Sequence, residues 1–453
     1  MSGITLNLIS ATLGGNSPVG LLAAIRNPAN GNLDNPKIAI RNGQLNLIVN
    51  TADGVPEIRK LITARLGLDL TFTWQRSLNN DVNYLYANDL AIDSAGNVIV
   101  AGSLFVSASG INTPYVVKFN NSGTLQWQRR TTGSASYSAV DVDSSDNIYA
   151  VGTSTFFATN RTDIYAVKYD ASATIQYQRV VGDTGSFRNE LAYSVAIPNN
   201  TWFTVAGEAD PANTDGALWF LNQSDGTTAG ATTQRDSGGS GTQQGVSVIK
   251  GETDNVLYYA IRTFATLSTA SKCFQVLIKW TASGGFVWQR YFEDSSTTSS
   301  SIFVQNMAMS ADNTAVYVVA STFNQQIQIT KWGIDGALLW QRGIDSPTAL
   351  LYSPDIAVDS LDNIYVSFTS FDSSLSGGTR TMVLKVPGSG AGSGNSAALE
   401  GVEYDYITTT RTAYTDALLV STLTRPNAAA AQAEATPAPT NTTGALAITS
   451  GPF

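Results

Sequence analysis

The sequence contains no histidine, a single cysteine and few charged residues. The missing histidine excludes Ser-His-Asp and Cys-His catalysis, histidine-ligated metals and imidazole pH switches. Cys273 alone cannot form an internal disulfide, a thiolate cluster or a CxxC redox pair, and a small buried apolar side chain is the favoured interpretation. Only 13% of the 453 residues are charged, and 26 basic against 35 acidic side chains give a net charge of -9. That sign argues against a nucleic-acid partner, because phosphate contacts need clustered Lys and Arg.

Long apolar runs are also missing. The first residues, MSGITLNLISATLGG, have neither a basic region nor a continuous apolar core, so we expect no secretory signal. No run reaches the roughly 18 apolar residues of a membrane-spanning helix, so we expect no membrane insertion.

What the sequence does contain is a repeat. An aromatic residue followed by Gln-Arg recurs, with one degenerate copy, at spacings of 53, 50, 56, 55 and 52 residues; the motif begins at Trp74, Trp127, Tyr177, Thr233 (degenerate), Trp288 and Trp340. A second element, DLAIDSAGNVIVAGS in its first copy, recurs in phase and reads as two strands around a polar turn. A third element, such as VVKFNNSGTLQWQR, adds a strand with a Lys nine residues before the motif aromatic. One unit is therefore four antiparallel strands in about 50 residues, the pattern of a β-propeller blade.

Counting the strand types predicts an all-β, six-bladed propeller over residues 70–386. The sequence contains six first strands and six fourth strands, which are the strands that end in the aromatic-Gln-Arg motif. The earliest fourth strand, however, comes before any first strand in the chain. We therefore expect Thr71–Arg76 to complete the blade begun at Asp355–Val386, with Trp74 paired near Val383–Val386. Such a closure removes the open edges of the sheet.

The recurrent residues are expected to be structural. Trp127 and Tyr177 are predicted to pack between blades, with the Gln and Arg of the motif on outer edges. The repeated Asp that precedes an Asn by four residues is predicted to stabilise a turn by side-chain hydrogen bonding; the pairs are Asp93 and Asn97, Asp143 and Asn147, Asp359 and Asn363. Calcium coordination by Asp141–Asn147 is the alternative, although this segment lacks the Gly and Glu of an EF-hand loop. We predict no catalytic residue, no cofactor and no resident metal.

These units resemble the bacterial β-propeller repeats that read roughly AVDSSGNIYVAGST. The resemblance covers about 320 of the 453 residues and implies the fold rather than an activity. Asp335–Trp340 is also similar to the blade ends of quinoprotein dehydrogenases, but that family usually has eight blades, a calcium site and a vicinal disulfide.

Residues 1–69 are predicted to form an N-terminal arm. Pro36–Val49 reads as a hairpin around Asn42-Gly43. Val55–Leu66 reads as a short amphipathic helix, which either packs on the propeller or binds a partner; its apolar face is Ile58, Leu61, Ile62 and Leu66.

Residues 387–453 are predicted to form a Gly/Ser linker, a strand-like piece at Val402–Thr424 and an Ala/Pro/Thr-rich assembly arm. The arm cannot bury enough apolar surface to order itself alone. We therefore expect neighbouring subunits to hold it, with Leu446, Ile448 and Phe453 as anchors. An arm that contacted only its own chain would instead favour a self-contained binding propeller.

These features predict a non-enzymatic structural component of a bacteriophage virion, associated with the tail, neck, fibre or capsid. The overall pattern resembles phage virion proteins, and this step is an analogy. Its expected partners are copies of itself and other virion proteins, and a host-surface glycan is a further candidate. The alternative is a secreted or surface propeller, located outside the cell, that binds a ligand or carbohydrate.

Overall fold

The computed structural model contains only β-strands as regular elements in the residues that it describes. Those residues are 7–13, 20–26, 32–53, 58–79, 83–131, 133–155, 162–183, 189–209, 215–234, 242–253, 255–267, 270–281, 285–293, 302–323, 325–373, 378–391, 395–399, 402–408, 412–414, 432–435, 441–443 and 447–449. No helix long and apolar enough to cross a membrane occurs in these ranges.

Seven antiparallel sheets form the blades, and the first three follow one another along the chain. Blade one consists of β3 (Asn32–Arg41), β4 (Gln44–Asp53), β5 (Ile58–Leu66) and β6 (Phe72–Asn79). Blade two consists of β7 (Tyr84–Ile92), β8 (Val98–Val106), β9 (Ile111–Phe119) and β10 (Leu125–Thr131). Blade three consists of β11 (Ala135–Val142), β12 (Ile148–Ser154), β13 (Asp163–Tyr169) and β14 (Ile175–Asp183).

The next three blades repeat this arrangement. Blade four consists of β15 (Glu190–Ala196), β16 (Trp202–Ala209), β17 (Asp215–Asn222) and β18 (Thr228–Gln234). Blade five consists of β19 (Thr242–Lys250), β20 (Val256–Leu267), β21 (Ala270–Thr281) and β22 (Phe286–Glu293). Blade six consists of β23 (Ile302–Met309), β24 (Ala315–Thr322), β25 (Ile327–Gly333) and β26 (Leu338–Asp345).

Blade seven joins the two ends of the ring. Its first three strands are β27 (Leu350–Val358), β28 (Asn363–Phe371) and β29 (Thr379–Pro387). Its fourth strand is β2 (Gly20–Arg26), which pairs with β29, and β1 (Asn7–Leu13) adds a fifth strand. Each blade's first strand contacts the first strand of the next, including β27 with β3, so the ring is closed. Seven apolar layers fill the seven interfaces between neighbouring blades.

The predicted number of blades is therefore wrong: there are seven. Trp74 lies in β6 opposite Arg65 of the preceding strand β5, and not near Val383–Val386. An N-terminal strand does close the ring, but that strand is β2, where Leu21 stands opposite Lys385. The search for repeats missed the first blade because its first turn differs from the longer Asp-to-Asn turn. This turn has only two residues, Asn42 and Gly43, and both have positive φ.

The predicted helix at Val55–Leu66 is wrong as well. Ile58–Leu66 is β5, and Leu61, Ile62, Ala64 and Leu66 are all buried because blades cover both faces of the strand. A strand that is buried on both faces does not alternate between apolar and polar residues, so the spacing of its apolar residues can also fit a helix. The predicted hairpin in Pro36–Val49 is present as β3 and β4, inside the ring. Residues 32–69 consequently belong to the propeller and not to an arm.

The C-terminal segments lie along the outer edges of the blades. After β30 (Asn395–Leu399), β31 (Val402–Thr408) pairs with β26 of blade six, and β32 (Thr412–Tyr414) pairs with β22 of blade five. Three further strands, which pair with β14, β10 and β6 of blades three, two and one, are β33 (Gln432–Ala435), β34 (Asn441–Thr443) and β35 (Ala447–Thr449). We call β31 to β35 the rim strands. They pass the blades in the reverse of chain order, and in the described part of the chain β18 of blade four has no fifth strand.

Candidate functional site

The Trp-Gln-Arg motif joins each blade to the next. The Trp74 indole N–H donates to the Asn121 carbonyl at 3.0 Å, and Arg76 Nε donates to the Gly123 carbonyl at 2.7 Å, both in the last turn of blade two. Arg76 also lies over the Trp74 ring, 5.7 Å from its centre. The same contacts recur for Trp288 and Arg290 with Ile334 and Gly336, and for Trp340 and Arg342 with Gly388 and Gly390.

These contacts confirm one prediction for the motif residues and contradict another. Tyr177 packs in the apolar layer between blades three and four, and Trp127 packs against the layer between blades two and three. The prediction that Gln and Arg decorate outer edges is wrong. The motif glutamines Gln75, Gln128 and Gln178 are buried, and the arginines reach the neighbouring blade.

The degenerate motif copy at Thr233-Gln234 does not occupy the strand position that the motif occupies in the other blades. In blade four, Gly230 stands opposite Phe220, as Tyr177 stands opposite Lys168 in blade three. Blade four thus lacks both the aromatic residue and the lysine.

The recurrent lysines make a second contact between blades. Lys331 Nζ lies 4.7 Å from the centre of the Tyr317 ring and donates to the Gly388 carbonyl at 3.1 Å. The pairs Lys168 with Tyr149, Lys279 with Tyr258 and Lys385 with Tyr365 repeat the stacking. A cation on an aromatic face is stabilised by the ring quadrupole.

The Asp-to-Asn turns have the predicted hydrogen bonds. Asp93 Oδ1 accepts from the N–H groups of Ala95 (3.0 Å) and Asn97 (2.8 Å), and Oδ2 accepts from the Asn97 amide (2.7 Å). Burial opposes ionisation of Asp93, but hydrogen bonds from Lys118 and Asn97 outweigh it and lower its pKa. Asp143 and Asp359 bond their turns in the same way. The described residues contain no group of three or more acidic or cysteine side chains placed to hold a metal ion, in Asp141–Asn147 or elsewhere.

A ring of polar side chains joins the first strands around the propeller axis. Each first strand contains a register shift, and the residues that follow it are Lys37, Asp89, Ala139, Ser194, Ser247, Asn306 and Asp355. Most of them bond the next blade: Asp89 accepts from Val140 N–H at 2.9 Å, and Asp355 accepts from Ile38 N–H at 2.8 Å. Blade three has alanine at this position and uses Asp141, which accepts from Ile197 N–H at 3.2 Å.

Burial in this ring raises two carboxyl pKa values. It raises the pKa of Asp89 to about 7, although Lys37 and two backbone N–H groups favour the charged form, and Asp355 adds to the rise. It raises the pKa of Asp141 to about 6, against hydrogen bonds from Val142 and Ile197 and the charge of Arg41, with Asp143 adding to the rise. From the sequence, Asp89 was not assigned a role, and Asp141 was named only within the calcium alternative Asp141–Asn147. An acid at the inward position of an alternating first strand is the signal that could have found them.

We expect the stability of the protein to fall between about pH 4 and pH 7, in part because of Asp89. Its folded pKa of about 7 lies above the ordinary value of 3.8, so the folded chain binds more protons in this window. The free energy of unfolding therefore decreases as the pH rises through the window and levels off above it. Asp89→Asn should flatten this slope in urea titrations from pH 4.5 to 8.

A matched control is Asp312→Asn. Hydrogen bonds from Ser310 and Thr314 lower the pKa of Asp312 to about 2, so it stays ionised throughout that range. This variant should keep the wild-type slope. Equal slopes for Asp89→Asn and the wild type would show that Asp89 is not the titrating group.

A buried acid also occurs in blade four. The Tyr193 hydroxyl donates to Glu208 Oε1 at 2.5 Å. Burial raises the pKa of Glu208, while hydrogen bonds from Tyr193 and Gln244 and the charge of Arg262 oppose the rise. Tyr193 precedes a loose copy of the second repeat element and Glu208 ends it, at a position where the first copy has Ser103, so the motif search singled out neither.

The residues predicted to bind partners lie in two places. Leu61, Ile62 and Leu66 are fully buried in the apolar layers on either side of blade one, so they cannot bind a partner. Ile58 occupies the first position of β5, opposite Asp53. Ile448 is in rim strand β35, opposite Leu78, whereas Leu446 and Phe453 lie outside the described residues.

One face of the ring carries exposed apolar side chains. We call it the turn face, because it holds the turn between the first and second strands and the turn between the third and fourth strands of each blade. Leu339 (54% exposed), Phe286 and Val287 (45% each) begin fourth strands beside this face, and Leu361 (79%) lies in the first turn of blade seven. They belong to blades five, six and seven, which follow one another around the ring.

Comparison with known proteins finds likeness in structure alone. No family model matches the sequence, and no curated protein matches it. Solved structures similar to the chain include the β-propeller domain of the Trilobed protease from Pyrococcus furiosus (8% identity, 78% of this chain and 93% of that chain, TM-score 0.45) and a polysaccharide lyase (7%, 85% and 100%, 0.49). A quinohemoprotein alcohol dehydrogenase from Comamonas testosteroni is similar at 9% identity over 84% of this chain and 73% of that chain (TM-score 0.39). At such identities the likeness concerns the fold alone, which is a β-propeller.

Proposed function

We propose that the protein is a non-enzymatic structural component of a large assembly, and that this assembly is a bacteriophage virion. One observation carries the proposal: the recurrent side chains that could bind a ligand are used to join blades. The motif Trp and Arg and most of the repeated Lys reach the neighbouring blade, whereas Lys118 pairs with Asp93 of its own blade and the repeated Asp holds its own turn. A ring built in this way is rigid and offers its faces and rim as contact surfaces.

The rim strands give a second support for an assembly role. An uncovered fourth strand presents unpaired N–H and C=O groups, to which other chains can add. Rim strands cover the fourth strands of blades one, two, three, five and six. The protein thus controls which strand edges are available, as a component that meets many neighbours must.

The proposal is tested by quantitative mass spectrometry of density-gradient-purified phage particles from cells that express this chain. We expect the protein in a fixed, integral number of copies per particle, retained after a high-salt wash. A protein that stays in the soluble lysate while the particles lack it would overturn the virion role.

The turn face supports a second candidate function, binding of a host-surface glycan. Exposed aromatic rings such as Phe286 can pack on the apolar faces of sugars, and Val287 lies beside it. On a glycan array we expect binding that Phe286→Ala weakens at least tenfold. Phe323→Ala is the matched control, because Phe323 is 60% exposed but lies in the turn between β24 and β25, on the opposite face. Equal binding by both variants, or none by the wild type, would contradict this candidate.

A further inference from the structure

The rim strands differ in how firmly they are held. β31 pairs with Arg342–Asp345 of β26, and its Tyr404 and Tyr406 are only 2% and 1% exposed. The Tyr404 hydroxyl lies 2.9 Å from Ser370 Oγ of blade seven, and its ring packs against Phe368. β31 is therefore fixed to the ring by apolar burial as well as by backbone hydrogen bonds.

Beyond β31 the pairing is short. β32, β34 and β35 each have three residues and β33 has four. Each of these strands gains a few backbone hydrogen bonds, and each must order its own backbone to do so. They carry mostly small side chains, such as those of Ala433, Ala435 and Ala447. Each is therefore paired to its edge over only three or four residues.

Every copy of the chain carries both the rim strands and the blade edges with which they pair. The edge of β10 receives β34 with Arg130 opposite Thr442, and the edge of β6 receives β35 with Leu78 opposite Ile448. When a rim strand leaves, its edge exposes the same backbone groups in the same register to the same segment of another molecule. Exchange of an identical element between copies needs no new interface.

We propose that the rim strands from residue 412 onward exchange between copies of this chain, so that β32 to β35 of one molecule pair with blades five, three, two and one of a second. β31 remains on its own blade six and ties the two molecules together. This inference rests on the proposed function and names the partner of its rim surface. Within the single chain the described tail strands pair with its own blades, which is the arrangement expected of a self-contained binding propeller. Exchange between copies would instead give the tail the predicted assembly role, with strand pairing as the contact.

Site-directed disulfides in the full chain test the exchange. In a Cys273→Ser background, one population carries Arg130→Cys in β10 and another carries Thr442→Cys in β34. Directly opposite residues in antiparallel strands are close enough for a disulfide. The two populations are mixed at several concentrations and oxidised. The double variant in one chain serves as the positive control, and Thr442→Cys mixed with Asn79→Cys of β6 serves as the control for register.

We expect the matched mixture to give a covalent dimer whose yield rises with protein concentration, at least tenfold above the mismatched mixture. A matched mixture that stays monomeric, while the double variant forms its disulfide within one chain, would overturn the exchange. A double variant that forms no disulfide at any concentration would overturn it too, because the pairing itself would be wrong. Particle mass spectrometry is independent of this readout, so a failed exchange in a chain found in particles leaves the proposed function standing.

Discussion

Removing residues 1–31 should abolish the folded ring. This deletion takes away β2, whose buried Leu22 and Ile25 pack in the layers on the two sides of blade seven. It also exposes the edge of β29 and the apolar side chains Met382 and Leu384. Each buried aliphatic side chain contributes about 1.5–3 kcal/mol, so the two lost anchors alone amount to roughly 3–6 kcal/mol, comparable to the whole stability of many domains.

The matched control begins at residue 20 and keeps β2 while losing β1. This shorter deletion should fold, because β1 is only the outermost strand of blade seven. Soluble yield, the melting temperature and dye binding to exposed apolar surface distinguish the two chains. A protein that begins at residue 32 and still melts cooperatively within a few degrees of the full chain would show that β2 does not close the ring.

Gly152→Ala should be among the most destabilising single substitutions in the protein. Gly152 stands opposite Tyr137, where β11 shifts register. A methyl group there would overlap the backbone carbonyl oxygen of Ser136, and backbone cannot move aside as a flexible side chain can. We expect a loss of about 3 kcal/mol or more in the free energy of unfolding, in the range of severe core substitutions.

Gly230→Ala is the matched control for this substitution. Gly230 also lies within a strand, β18, but a methyl group there meets nothing within 4 Å. Its replacement should be neutral or stabilise by up to about 1 kcal/mol, because alanine restricts the unfolded chain. Chemical denaturation of the two variants measures the difference, and similar midpoints would contradict the explanation by steric overlap.

The same register shift explains why the sequence repeats a glycine in its second strands. Gly102 and Gly207 face the Tyr86 and Leu191 carbonyls as Gly152 faces that of Ser136. The propeller fold was predictable because turn residues and blade-joining residues recur with a fixed period. The number of blades was not, because blade one has Arg65 where most other blades have lysine, and Asn42-Gly43 where blades two, three and seven have an Asp-to-Asn turn.

The polar ring around the axis was not predictable either. Asp89 and Asp141 resemble many other turn-flanking acids in the sequence, and their raised pKa values come from burial that only the closed ring creates. Rim strands β31 and β32 fall within the predicted strand-like piece Val402–Thr424, but β33 to β35 have only three or four residues each, so no local pattern of alternation marks them. Their pairing depends on edges that other parts of the chain supply.

Because blade seven combines strands that lie far apart in the chain, the ring can close only late in synthesis. Ala23 pairs with Val383, which is 360 residues further along the chain. At about 5–20 residues per second, a ribosome needs roughly 20–70 s to make that stretch. During this time blades one to six can form in turn from neighbouring strands, while the apolar strand β2 waits without its partner. In each newly made chain, this apolar strand therefore stays unpaired, and able to aggregate, for roughly 20–70 s before its ring can close.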